Sequence, residues 1–253
     1  MSHEQRGRTW LAPLLSVLLL ATVAVGPARA GYQATLDSNV SAFQPPCVGY
    51  FDTLPSRMLS AAKAAYTALG YAAAAYSGAA FTRAHTLART VNDWGYYVHS
   101  HGDYYWHSGD QRRYSGFRED GGDCAQAVVY SKDIAAKRAG RDSNLVVVST
   151  CFNGDANTTL PAAFGIAKSK ATGDAWNGPE FFLGYHGESF DNDEWTFEQR
   201  FWDALANHAR VGQAFDIASL GNFTHADFQA DWWGSYNAFG IAGPYKPVCP
   251  ACQ

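Results

Sequence analysis

The sequence lacks long apolar runs over most of its length, and this excludes several classes of protein. Beyond residue 30, no segment approaches the roughly 20 consecutive apolar residues that a membrane-spanning helix needs. No internal repeat, low-complexity tract or long linker interrupts the chain after Cys47. Basic residues are also scarce, with 19 Lys and Arg against 23 Asp and Glu. This acidic balance argues against nucleic acid or an anionic membrane surface as a partner.

The first thirty residues have the pattern of a cleaved secretory leader. Arg6 and Arg8 precede the apolar run LLSVLLLATVAV, and the small-residue site ARA ends at Ala30. We therefore expect a secreted protein that begins near Gly31 and has no membrane association after cleavage. Without the leader's three Arg and one Glu, 16 basic and 22 acidic residues remain, a formal charge of −6. Residues 31–253 fit one domain that closes with an aromatic-rich extension from about residue 221.

Cysteines are few, and their number is odd: Cys47, Cys124, Cys151, Cys249 and Cys252. In an oxidising compartment at least one of them should remain free or pair between chains. The terminal CPAC lacks the second CxxC that would complete a zinc site. We predict that its two cysteines form disulfides, with Cys47 and Cys124 as candidate partners.

Short apolar, strand-like runs alternate with helical patterns along the chain. This alternation indicates an α/β fold, a three-layer sandwich with a mainly parallel central sheet. The predicted strands are CVGYF, WGYYVHS, QAVVYS, NLVVVST and PEFFLGYHG. The predicted helices include SRMLSAAKAAYTAL, TTLPAAFGIAKSK and two later segments that carry Phe197 and Val211 on their apolar faces. Residues 103–123 form an insertion rich in Gly, Arg and Tyr.

Two of the predicted strands end next to reactive side chains. His101 follows YYVHS and Cys151 follows LVVVST, and a glycine stands close after each. Parallel α/β sheets place reactive groups at the C-terminal ends of their strands. A thiolate attacks a carbonyl carbon, and a neighbouring imidazole can take the thiol proton and later protonate the leaving amine. The spacing therefore predicts a nucleophile and its base.

The segments YYVHSHG, LVVVSTCFNG and FWDALANHARVGQAFDIA resemble the caspase-fold cysteine peptidases, a clan that includes caspases, metacaspases, clostripain, gingipains and separase-like domains. The resemblance covers residues 47–220 as an order of elements, and its specific parts are the His-Gly and Cys motifs. It implies a caspase-like fold and a secreted cysteine endopeptidase that uses no cofactor or metal. In that enzyme His101 is the general base and acid, Cys151 is the nucleophile, and the N–H groups of Gly102 and Cys151 bind the oxyanion.

The resemblance also implies a pocket for the substrate side chain before the cleaved bond. In the family this pocket is partly lined by the residue that ends the first strand, which makes Asp52 the first candidate for binding a basic side chain. Glu188 and Asp191 are the weaker alternatives. Some clostripain-like members carry an acid two residues before the cysteine, where this chain has Ser149. The expected substrate is a peptide or protein cleaved after a basic residue.

Two other functions remain open at this stage. The stretch HSHGD imitates the HxHxD opening of metallo-β-lactamase-like hydrolases, so His99, His101 and Asp103 are alternative zinc ligands, with His107 as a fourth. Tyr104 replaces the final histidine of that pattern. Because His99 and His101 face the same side of a strand, a packing or supporting role for His99 is favoured over ligation. The other alternative is a caspase-fold binding module without catalytic activity.

Overall fold

The computed structural model describes residues 32–122, 124, 126–172 and 180–238. Its ten strands are β1 (Gln33–Ser38), β2 (Ala72–Tyr76), β3 (Gly95–His99), β4 (Gly102–His107), β5 (Arg112–Arg118), β6 (Val128–Tyr130), β7 (Leu145–Ser149), β8 (Lys170–Ala171), β9 (Phe181–Tyr185) and β10 (Ala230–Ser235). Seven of them form a central sheet in the order β2-β1-β3-β7-β9-β10-β8. The first five strands in this order are parallel, and β10 runs antiparallel to β9.

Helices cover both faces of the central sheet. They are α1 (Leu54–Ala68), α2 (Arg83–Thr90), α3 (Ser131–Arg138), α4 (Leu160–Ala163), α5 (Asp191–Ala206) and α6 (Val211–Ser219). One apolar cluster joins the sheet to α1, α5 and α6. A second cluster joins the other face to α3, α4 and a small antiparallel sheet of order β4-β5-β6. The expected three-layer α/β sandwich is therefore observed.

The central strands alternate strictly between the two apolar clusters. Tyr97 and Val147 pack in the cluster of α1 and α5, whereas Val98 and Val148 pack in the opposite cluster. Alternate residues of a strand share a face, so the residue two positions after Tyr97, which is His99, lies on the α5 side. This alternation decides on which face of the sheet the last side chain of each strand lies.

Several predicted elements are confirmed, and one prediction about the start of the sheet is wrong. The runs containing β3, β6, β7 and β9 are strands, and SRMLSAAKAAYTAL coincides with α1. CVGYF forms turns instead of a strand, and the first strand is QATLDS. The insertion at residues 103–123 contains most of the β4–β5 hairpin. Helix α4 spans only four residues of the longer predicted helix.

The segment predicted to form a C-terminal extension enters the central sheet. Strand β10 pairs with β9 in antiparallel register, and Trp232 and Trp233 are buried. Burying two indoles removes much apolar area from water, so this strand belongs to the core. The predicted leader at residues 1–30 and the chain beyond residue 238 lie outside the described residues. None of the helices within the described part is long and apolar enough to cross a membrane.

The disulfide pairing differs from the prediction. Cys47 and Cys124 are bonded to each other, with their Cα atoms 5.4 Å apart. Each therefore has no sulfur left for Cys249 or Cys252, which lie outside the described residues. Cys151 is a free thiol. The residue predicted to be the nucleophile is thus available for chemistry.

Candidate active site

The strand register brings the His101 and Cys151 positions to the same level. Strands β3 and β7 are parallel neighbours, and His99 pairs with Ser149. The pairing continues beyond the strands, where the Ser100 N–H donates to the Ser149 carbonyl at 3.2 Å. Two residues after each paired position come His101 and Cys151. Both residues lie beyond the strands, where the Thr150 N–H donates to the Val148 carbonyl at 3.0 Å and the chain turns, so they follow two adjacent strand ends at the same edge of the sheet.

The backbones at these two strand ends approach each other closely. A Cβ atom placed on Gly102 would lie 2.5 Å from the Cys151 carbonyl oxygen and 2.5 Å from Thr150 Oγ1. No side chain larger than hydrogen fits there without movement, because these distances are far below van der Waals contact. Glycine at position 102 is therefore what allows the loop after β3 to lie against the backbone of Cys151.

The backbone pairing around the strand ends shows how the two N–H groups that are predicted to bind an oxyanion are placed. The Arg118 N–H donates to the His101 carbonyl at 2.9 Å, so the next antiparallel pair, Gly102 and Phe117, is a non-hydrogen-bonded one. The Gly102 N–H consequently points away from β5, at the edge of the small sheet. Within the described residues, no acceptor binds the Cys151 N–H.

The Cys151 thiol is half-buried against the loop that joins β9 to α5. Its Sγ lies 3.4 Å from the Ser189 N–H and 3.7 Å from Ser189 Oγ. Burial raises the pKa of the thiol, the Ser189 backbone hydrogen bond opposes this, and the nearby charges of Glu194 and Glu188 raise the pKa further. The resting group is therefore a thiol at neutral pH.

A constrained turn follows the thiol. Phe152 has a φ of +62°, in the left-handed region that a bulky residue rarely adopts. Its N–H donates to the Gly187 carbonyl at 2.7 Å, and the Gly187 N–H donates to Asp155 Oδ1 at 2.9 Å. These bonds couple the turn to the β9–α5 loop and hold the strained residue in place. Such strain costs on the order of 1–3 kcal/mol and concentrates at functional sites.

His101 lies beyond the end of β3 and remains exposed to solvent. Neighbouring protein atoms displace part of its hydration, and this desolvation lowers the pKa of the imidazole. The charges of His99 and Arg118 lower the pKa as well, whereas Asp191 opposes them. The imidazole is thereby kept neutral near pH 7, the form that accepts a proton.

Beneath this pair lies a buried ion-pair network. His99 is 1% exposed, and its Nε2 lies 3.3 Å from Asp191 Oδ1 and 3.6 Å from Glu194 Oε2. Burial alone would lower the pKa of His99, but Asp191, Glu194 and Glu198 outweigh it and raise the pKa to about 9. Asp191 and Glu194 stand in the first turn of α5, where the helix dipole favours carboxylates. His99 is therefore the cationic member of a buried ion-pair network with Asp191 and Glu194.

The three candidate substrate-binding acids have different surroundings. Asp52 does not end a strand: its Oδ1 accepts the Leu54 N–H at 2.8 Å at the start of α1. Its carboxyl also approaches Asp191, which is engaged by His99. Glu188 is exposed in the β9–α5 loop, next to the serine that contacts Cys151. Asp52 is a candidate because it is predicted to end a strand, and the structure shows that it does not. Of the three acids, Glu188 is the one whose carboxylate is exposed and available to a substrate.

The zinc-ligand set expected from HSHGD is not assembled. His107 pairs with Asp110 at 2.8 Å in the β4–β5 hairpin. Among the described residues, the group whose ligand atoms lie within 4.8 Å of one another is His99, Asp191 and Glu194. This trio could hold a metal ion by spacing alone. However, its atoms already pair with each other, and Ser149 Oγ donates to Glu194 Oε2 at 2.7 Å, so we describe it as an ion-pair network.

Sequence patterns did not reveal three residues of this site: Phe43, Ser189 and Glu194. Phe43 belongs to a short 3-10 helix after β1, and Ser189 belongs to the β9–α5 loop. Their spacing from His101 and Cys151 along the chain follows no rule. Glu194 looked like an ordinary acid in a first helical turn, and only its burial beside His99 distinguishes it.

We expect the free energy of unfolding to fall as the pH rises from about 5 to 9. The pKa of His99 is about 9 in the folded protein and 6.5 in an unfolded chain. Its contribution to the free energy of unfolding is therefore complete below pH 6.5 and is lost as the pH rises through 9. Burial raises the pKa of Glu194 to about 7, which acts in the same direction between its ordinary 4.5 and 7. The two shifts act in the same direction, so the loss is measurable as a fall in the urea unfolding midpoint across this range.

Two variants test the source of this pH dependence. His99→Gln should flatten the profile, whereas His85→Gln, which removes an exposed histidine of α2, should leave it unchanged. A wild-type slope in His99→Gln would show that the buried network does not cause the effect.

No protein-family model and no curated protein matches this sequence. Among solved structures, the chain is similar to a Geobacter sulfurreducens protein determined as a structural-genomics target. The two are 10% identical, the match covers 81% of this chain and 94% of that one, and the TM-score is 0.47. A likeness at this level carries no conclusion about fold or function.

Proposed function

We propose that this protein is a secreted cysteine peptidase in which Cys151 is the nucleophile and His101 is the general base. The observation that supports the proposal is the register of β3 and β7, which brings the two strand ends that precede His101 and Cys151 to the same edge of the sheet. The resemblance to caspase-fold peptidases supports the same assignment from the sequence. A disulfide and a leader-like N-terminus support secretion.

The pKa directions describe how such a pair would work. At rest the imidazole is neutral and the thiol is protonated, so in this proposal His101 removes the thiol proton as sulfur attacks the substrate carbonyl. The carbonyl oxygen becomes an oxyanion that accepts hydrogen bonds from the Gly102 and Cys151 N–H groups. The imidazolium then gives its proton to the leaving amine as the C–N bond breaks. Water, deprotonated by His101, hydrolyses the thioester and restores the thiol.

The surroundings of Cys151 favour a cationic group on the acyl side of the cleaved bond. Glu188 and Glu194 raise the pKa of the thiol, so a bound Arg or Lys side chain beside them would offset their charge and favour the thiolate. Asp191 adds a third carboxylate at the start of α5. We therefore retain the preference for basic residues and assign Glu188 as its main determinant, since the Asp52 carboxylate already accepts the Leu54 N–H at the start of α1.

Space for the remainder of a peptide adjoins the turn after Cys151. A cavity of about 440 Å³ is lined by Asp103, Tyr104, Arg113, Ser115, Phe152, Asn157 and Thr159. Its lining offers hydrogen-bond donors and acceptors together with one phenyl ring. This composition suits a polypeptide, which presents both backbone amides and side chains.

Alkylation of the purified mature protein tests the nucleophile. We expect iodoacetamide to modify Cys151 while Cys47 and Cys124 remain disulfide-bonded, with a rate that increases with pH because burial raises the pKa of the thiol. Peptide mapping by mass spectrometry identifies the modified residue. Loss of peptide hydrolysis should follow the same time course as modification of Cys151.

Two results would contradict the assignment. A disulfide at Cys151, or full activity after its complete alkylation, would remove it as the nucleophile. About one tightly held zinc per chain, lost together with activity on chelation, would instead support the metal-dependent hydrolase. Complete alkylation of a protein that cleaves no peptide would favour the inactive binding module.

A further inference from the structure

The imidazole of His101 has no polar group that orients it. Among the described residues, no hydrogen bond reaches either ring nitrogen. In nucleophile–histidine sites a third group normally fixes the base through such a bond. Here the ring stacks on Phe43, with centroids 4.8 Å apart and planes inclined by 29°. Phe43 also contacts the ring of His99 at 5.1 Å.

Phe43 belongs to residues 39–53, which we name the covering segment because it lies over the end of β3. The Asn39 N–H donates to the His99 carbonyl at 2.9 Å, and Asn39 Nδ2 donates to Ser100 Oγ at 3.3 Å. At the other end, the Asp52 N–H donates to the Phe43 carbonyl at 3.2 Å. The segment is therefore bonded to the end of β3 at Asn39, and its two ends are bonded to each other.

A covalent bond anchors the same segment. Cys47, four residues after Phe43, is joined to Cys124, and 77 positions separate the two cysteines in sequence. The Val40 N–H also donates to Asp120 Oδ2 at 3.1 Å, so the segment is attached to the chain around residues 120–124 at two points. A phenyl ring held from several directions can define the plane of its neighbour.

We propose that Phe43 is the positioning residue for the His101 base and that stacking takes the place of the usual orienting hydrogen bond. This inference rests on the proposed peptidase function. Stacking on a flat apolar ring fixes the imidazole plane while leaving both nitrogens free to exchange protons. It also removes water from one face of the ring, in line with the lowered pKa of His101. The charged groups that act on this imidazole are Asp191, His99 and Arg118.

The test compares Phe43→Leu with Phe43→Tyr in the full mature chain. Leucine should lower kcat about 10- to 100-fold with little change in KM, because a base displaced by about 1 Å loses that much rate. The acid limb of the kcat/KM profile should move to higher pH as His101 becomes better hydrated. Phe43→Tyr keeps the flat ring, so its kcat and the pH of its acid limb should match those of the wild type. Tyr114→Leu, which removes an aromatic neighbour of His107 in the β4–β5 hairpin, is the matched control and should change neither.

Histidine titration by NMR separates this inference from the proposed function, because it needs no turnover. With His101 assigned through His101→Gln, its pKa should rise in Phe43→Leu and stay low in Phe43→Tyr. A folded Phe43→Leu with unchanged His101 titration and unchanged kcat would overturn the positioning role. If Phe43→Leu does not fold, Phe43→Met provides an unbranched apolar replacement with the same expected shifts. If the wild type shows no cleavage that depends on Cys151, the peptidase proposal is wrong. The His101 titration still decides whether Phe43 stacking sets the pKa of the imidazole.

Discussion

Replacing Cys151 by alanine should lower kcat/KM for a fluorogenic peptide with Arg before the scissile bond by at least about a thousandfold. In the proposed mechanism the Cys151 sulfur forms the acyl intermediate, and this substitution removes that atom. His101→Gln should lower kcat about 100- to 10,000-fold, because it removes the proton acceptor and donor while keeping a polar side chain of similar size. Initial rates at saturating and limiting substrate separate kcat from KM.

The control for this experiment is His107→Gln, which changes the half-buried histidine at the end of β4 and should retain full activity. Glu188→Gln should preferentially lower cleavage after Arg relative to cleavage after Gln, because it removes the proposed charge partner. Substantial activity in Cys151→Ala, or a His101→Gln variant as fast as wild type, would show that the dyad is not the catalytic unit.

Replacing Gly102 by alanine should have the second-largest effect. Its Cβ would lie 2.5 Å from the Cys151 carbonyl oxygen and from Thr150 Oγ1, so the loop after β3 must move away from the nucleophile. We expect kcat to fall about a hundredfold, since both the base and one oxyanion donor shift. The unfolding free energy should fall by about 1–3 kcal/mol, as is typical of overpacking. Urea unfolding and peptide kinetics measure the two effects.

Gly49→Ala is the matched control for this substitution. Gly49 also lies in a loop close in sequence to site residues, but a Cβ there meets nothing within 4 Å. Activity and stability should both stay near wild type. If Gly102→Ala is fully active, the backbones at positions 102 and 151 need not be in contact for catalysis, and the assignment of the Gly102 N–H to the oxyanion would be wrong.

Strands β3, β7 and β9 could be predicted because each is a short, continuous apolar run buried on both faces of a parallel sheet. Strand β1 escaped prediction because QATLDS places an acid in the core. Asp37 is fully buried there, and its acceptance depends on Arg89, whose guanidinium lies 3.1 Å away, and on the Thr86 hydroxyl at 2.8 Å. A buried charge is costly without such partners. Arg89 and Thr86 lie about fifty positions after Asp37, so the local sequence around Asp37 does not predict them.

The sequence by itself determined the three-layer α/β class and the two strand ends that carry His101 and Cys151. Both follow from local rules, namely apolar periodicity and the position of residues at the ends of buried runs. Only the tertiary structure decided which strands are neighbours, that Cys47 bonds to Cys124, and that Phe43 stacks on His101. These contacts join segments far apart in sequence, and their energies depend on distances that exist only after the chain has packed.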